Sequence, residues 1–134
     1  MRKLAGIFRA LADETRLRMM GMLLRRREIC VCDFVEVLGI TQSKASRHLR
    51  YLLHARLLED RRQGLWVHYR LADELGPDAR VIGRSLRVLL GDQRMVELDR
   101  RLDRWLVRKA RSGSVPCAPA RPRRGTGRKV GGRR

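Results

Sequence analysis

The chain has 134 residues, with 32 lysines and arginines against 14 acidic residues and a net charge of +18. That length suits one compact domain with an extension, and so basic a balance points to a polyanionic partner, nucleic acid or an anionic surface. No apolar run approaches the roughly 18 to 20 residues a bilayer span needs, and Asp13, Glu14 and Arg16 cut the N-terminal stretch before a signal-peptide core forms, so the expectation is a cytoplasmic protein without a membrane partner.

In chain order, Leu4, Ile7, Phe8 and Leu11 form the stripe of a short amphipathic helix over 4–12. Asp13 is placed to cap a second helix over 14–25, with Leu17, Met20, Leu23 and Leu24 inward and Arg25, Arg26 and Arg27 at its cationic end. A third helix is predicted over 32–38, closed by Gly39, and Thr41 caps a fourth that runs to about residue 55. Segments 57–62 and 65–71 flank a Gln63-Gly64 turn, and alternation sets Leu65, Val67, Tyr69 and Leu71 on one face of a hairpin, with Trp66 and His68 on the other. After the Gly76-Pro77 break, Val81 to Leu90 and Met95 to Leu106 carry apolar stripes on one long or twice-broken helical segment.

The expected fold is mainly α with a small β-hairpin, a winged helix-turn-helix in the order α-α-α-α-β-β-α, as a domain over 1–111. Residues 112–134 change to Gly, Pro, Ser and Arg and read as a disordered basic tail. Its seven cations leave 25 basic against 14 acidic residues in the body, so the body is basic on its own account.

On the fourth helix, Gln42, Ser43, Ser46, Arg47 and Arg50 share a solvated side, with Lys44 at its head, while Ala45, His48, Leu49 and Leu52 turn inward. Gln, Arg and Ser are side chains that read base edges in a major groove. Arg61, Arg62 and Gln63 at the hairpin tip can reach the adjacent backbone. These nine residues are the expected contacts to double-stranded operator DNA. His48, on the inner side, reads as a hydrogen-bonded scaffold residue and not a metal ligand. The sequence carries no phosphate-cradling glycine loop, paired catalytic carboxylates or nucleophile with a matched base, so an enzyme is not expected.

The segments Ala10-Leu11-Ala12-Asp13-Glu14-Thr15-Arg16-Leu17-Arg18, Glu28-Ile29-Cys30-Val31-Cys32-Asp33, Ser46-Arg47-His48-Leu49 and Asp60 through Leu71 together resemble the ArsR/SmtB family of metal-sensing repressors, and most of all its arsenite-responsive members. The resemblance spans about residues 4 to 90. It implies a homodimer held by the first and C-terminal helices, bound to an imperfect palindrome in the promoter of a metalloid or metal resistance operon. The apolar stripes at both ends of the body are compatible with such an interface.

Three cysteines, two of them one residue apart, make a poor disulfide framework and read as reduced thiols. Trivalent arsenic and antimony favour thiolate ligands, so Cys30 and Cys32 are the expected site for arsenite or antimonite as inducer, with cadmium or lead as alternatives. Positions i and i+2 diverge by about 200° on a helix, so joining them on one ion requires extended or rearranged backbone. Where one common family pattern has a further cysteine, this chain has Val35. The third donor is then Cys117, a small thiol or a hydroxide. With no His after His68 and no Cys before Cys30, zinc bound at a C-terminal helix, as in other relatives, is disfavoured. Two rivals stand beside this reading, a repressor of the same fold that senses thiol oxidation and a nonspecific basic DNA-binding protein.

Overall fold

A computed structural model describes residues 1–112; the expected tail and Cys117 lie outside the described residues. The elements are α1 (Arg2–Leu11), α2 (Glu14–Arg25), β1 (Ile29–Cys30), α3 (Val31–Leu38), α4 (Gln42–His54), β2 (Leu58–Gln63), β3 (Trp66–Leu71), α5 (Pro77–Leu89) and α6 (Asp92–Arg111). Helices and hairpin fall in the expected order, with two corrections. A two-residue strand precedes α3, and the C-terminal segment is two helices that break at Leu90 and Gly91.

The boundaries follow local chemistry. Asp13 accepts from the Arg16 amide at 3.0 Å and caps α2, and Thr41 accepts from the Lys44 amide at 3.2 Å and caps α4. Gly39 ends α3 in the left-handed conformation at φ 62° and ψ 36°, where a Cβ is disfavoured. Pro77 opens α5, a position where its missing N–H costs nothing. The hairpin turns at Gly64, φ 60°, one position later than the sequence suggests. Leu65 thus sits in the turn, 67% exposed, while Val67 and Tyr69 are buried.

The sheet is antiparallel with strand order β1-β3-β2, and β1 adds to the hairpin through Ile29 opposite Tyr69 and Cys30 opposite His68. The core lies between the helices and this sheet, with Met19, Met22, Phe34, Ala45, Leu49 and Leu52 at 0% exposure. The Phe34 and Tyr69 rings meet edge-on at 6.4 Å between centroids and join α3 to the wing. Helix α6 packs on α3 and α2. At that crossing a Cβ on Gly21 would fall 2.5 Å from the Met95 sulfur, so the glycine admits the methionine. No helix among the described residues is long and apolar enough to cross a membrane.

Candidate functional site

Two surfaces carry the sequence-predicted site residues. On α4, Ser43, Lys44, Arg47 and Arg50 are exposed, and Gln42 and Ser46 are half-buried. At the wing, Arg61, Arg62 and Gln63 are exposed. Lys44, Arg47, Arg50 and Arg62 make no ion pair among the described residues, so α4 and the wing each present exposed cations to an external anion.

Arg16 and His48 hold α4 in place. The Arg16 guanidinium donates to the Ala10 and Arg9 carbonyls, lies 3.2 Å from His48 Nδ1 and sits 4.6 Å over the Tyr51 ring. A single side chain on α2 thereby ties the end of α1 to two turns of α4, with a cation–π contact. His48 is also 3.8 Å from the Asp13 carboxylate, the scaffold position expected of it. Sequence reading missed Arg16, whose partners come together only in the fold.

Arg61 is only partly available to an external partner. Its Nε donates to Glu28 Oε2 at 3.2 Å and its Nη1 to Gln63 Oε1 at 3.1 Å, and His68 Nδ1 lies 3.5 Å from Glu28 Oε1. The Arg61 hydrogen bond is the main reason the Glu28 carboxyl lies below its ordinary value of 4.5, with desolvation opposing it and the Arg61, His68 and Arg70 charges assisting. A depressed folded-state pKa contributes stability that is present above the unfolded value and lost as pH falls through the folded one. Replacing Glu28 with glutamine is therefore expected to flatten part of the acid limb of a stability-versus-pH curve below about pH 4.5. Parallel acid limbs for the two proteins in denaturant titrations would show that the contact contributes nothing.

The cysteine pair lies where β1 becomes α3. Cys30 is buried at 3% exposure, pairs with His68 in the sheet and is at the same time the N-cap of α3, with extended backbone at φ −77° and ψ 153°. Cys32 is half-buried in the first turn. The extended geometry that the spacing demands is present at Cys30, while Val31 and Cys32 are already helical. Burial pushes the Cys30 thiol up, as does the Asp33 charge, against hydrogen bonding from the Cys32 backbone and the Lys109 charge.

Asp33 lies between the two cysteines and α6. It is 4% exposed. Its Oδ2 accepts from the Cys30 amide at 2.9 Å, and its Oδ1 accepts from Trp105 Nε1 at 2.8 Å and Lys109 Nζ at 2.9 Å. Lys109 Nζ is also 3.5 Å from the Cys32 sulfur. Val35, at the position of the missing third cysteine, is half-buried.

A helix-turn-helix whose second helix and adjoining hairpin present unpaired cations defines a winged helix-turn-helix regulator, a class of DNA-binding proteins and not of enzymes. Residues 13–60 match the model of the bacterial regulatory protein, arsR family. The chain is 48% identical over 69 residues to the arsenic resistance transcriptional regulator ArsR1 of Pseudomonas putida, covering 52% of this chain and 54% of that one. It is 46% identical over 74 residues to the arsenical resistance operon repressor of Bacillus subtilis, covering 55% and 70%. Among solved structures, the homodimeric winged helix-turn-helix DNA-binding domain of Mb0332 from Mycobacterium bovis aligns with a TM-score of 0.56 at 27% identity, over 68% of this chain and 81% of that one. The protein belongs to the ArsR family. Its matched part spans just over half the length of the Pseudomonas relative.

Proposed function

We propose that the protein is a homodimeric repressor of a metalloid-resistance operon, and that arsenite or antimonite bound at Cys30 and Cys32 releases it from operator DNA. The observation that carries this reading is the position of the pair. Cys30 belongs at once to the wing sheet and to the cap of α3, so a ligand there acts on both elements that set the reading helix. The names of the Pseudomonas and Bacillus relatives, each an arsenic regulator, support the choice of inducer. Gln42, Ser43, Lys44, Ser46, Arg47 and Arg50 are assigned to the major groove, and Arg61, Arg62 and Gln63 to the flanking backbone. Phe8 on α1 and Val81, Val88 and Leu89 on α5, all exposed in the protomer, are assigned to the dimer interface.

The binding step balances with two reduced thiols. Each sulfur displaces one hydroxide from As(OH)₃, each thiol proton leaves with that hydroxide as water, and the arsenic keeps one hydroxide unless Cys117 displaces it in the same way. The ligand joins sulfurs on either side of Val31, so it favours a re-formed first turn of α3, the bistable element that allostery requires. A second reading stands beside it, in which oxidation of the thiols of Cys30 and the half-buried Cys32 is itself the signal.

Fluorescence anisotropy on the protein's own upstream promoter DNA, in a phosphine reductant, tests both readings. Arsenite is expected to weaken binding of the unmodified chain by about five- to 150-fold and to leave the Cys30→Ser/Cys32→Ser protein bound. Release without arsenite on removal of the reductant would favour oxidation. An unchanged response in the double mutant would remove the pair from the mechanism.

A further inference from the structure

We propose that Asp33 is a latch between the cysteine pair and α6, so that an inducer on Cys30 and Cys32 binds at the expense of the docking of the C-terminal end of α6 on α3. This rests on the sensing reading above and adds a second moving element to it.

Asp33 is the one buried charged side chain among the described residues. Its carboxylate spends one oxygen on the Cys30 amide and the other on the Trp105 indole, the Lys109 ammonium and, at 3.7 Å, the Cys32 thiol. A buried carboxylate is stable only while its donors are in place. The Cys30 bond exists because Cys30 is the N-cap and Asp33 the N3 residue of α3. Drawing both sulfurs onto one small ion reshapes the backbone from Cys30 to Cys32 and so displaces that amide. Lys109 also borders the Cys32 sulfur at 3.5 Å, in the space a ligand on that sulfur enters.

The two halves of α6 are held differently. Met95 and Leu102 are almost fully buried and anchor the first turns. Past Leu102, Val107 is 52% exposed, and the bonds to α3 are those of Trp105 and Lys109 to Asp33 and an exposed ion pair of Arg108 with Glu36. The last two turns, whose core contacts are the partly buried Trp105 and Leu106, can therefore lift while the fully buried Met95 and Leu102 stay in place.

Thermodynamic linkage supplies the test. If the latch belongs to the DNA-competent state, cutting it weakens DNA binding and tightens inducer binding by the same factor, whereas a general loss of stability does not tighten inducer binding. The chain has two tryptophans, so Trp66→Phe leaves Trp105 as the sole reporter. In that background, under phosphine, arsenite is expected to shift Trp105 emission to the red with the same midpoint as operator release. Lys109→Met should show the red-shifted emission without arsenite, bind operator about fivefold more weakly and arsenite about fivefold more tightly, with Lys109→Arg restoring all three. If operator leaves while Trp105 emission stays flat, or Lys109→Met moves both affinities in one sense or neither, the latch is wrong and the sensing reading stands. If arsenite does not release the Trp66→Phe protein or the unmodified chain, the sensing reading falls and the latch with it.

Discussion

Val88→Glu is expected to convert the protein to a monomer and to weaken its grip on a palindromic operator by on the order of a hundredfold or more. Val88 is 81% exposed in the protomer, one heptad after Val81 on α5 and therefore on the same side of the helix. Leu89 and, on the adjoining α1, Phe8 extend the apolar surface. A carboxylate there costs almost nothing in the monomer, since surface substitutions fall within about 0.5 kcal/mol, but it is desolvated against apolar partners in a dimer. Two half-sites held by one particle gain roughly 10² to 10⁴ in avidity, and a monomer forfeits that gain. Sedimentation should show half the mass, the melting temperature should lose its dependence on protein concentration while unfolding stays cooperative, and anisotropy should show the lost affinity. A variant that stays dimeric would place the interface on another surface.

The parts of this architecture that the sequence discloses are those governed by neighbours in the chain. Asp13, Gly39 and Thr41 mark helix ends because their caps bond or turn within three residues, and the alternation through Val67 and Tyr69 marks a strand with one buried face. β1 is not legible, because two residues carry no periodicity and Ile29 and Cys30 become a strand only when β3 lies beside them. The place of the break at Gly91 hides in the same way, since the apolar stripes of α5 and α6 fit one long helix as well as a broken one. Cys30 and Cys32 stand out by spacing alone, yet the residues that surround them do not. Trp105 and Lys109 lie 72 and 76 residues from Asp33, and in the sequence Trp105 is one more apolar position in a helical stripe.

Phe34→Ala is expected to destabilise the fold by about 3 to 5 kcal/mol, a large part of the roughly 5 to 15 kcal/mol that holds a domain together. Phe34 is at 0% exposure on α3, and its ring meets Tyr69 of β3 at an interplanar angle of 67°. The alanine leaves a ring-sized void that the helices on one side and the sheet on the other cannot close together. Urea titration of the reduced protein measures the loss, and a change below about 1 kcal/mol would mean that α3 collapses onto the wing. A cycle of Phe34→Leu and Tyr69→Leu isolates the ring contact, with a coupling of about 0.5 to 1.5 kcal/mol expected. That coupling bears on function because Cys30 touches both elements the rings join, as the N-cap of α3 and as the partner of His68 on β3. If the contact is what makes α3 and the wing move as one body, the Phe34→Leu protein should also need more arsenite-induced rearrangement to shed DNA, and its release should become shallower than that of the unmodified chain.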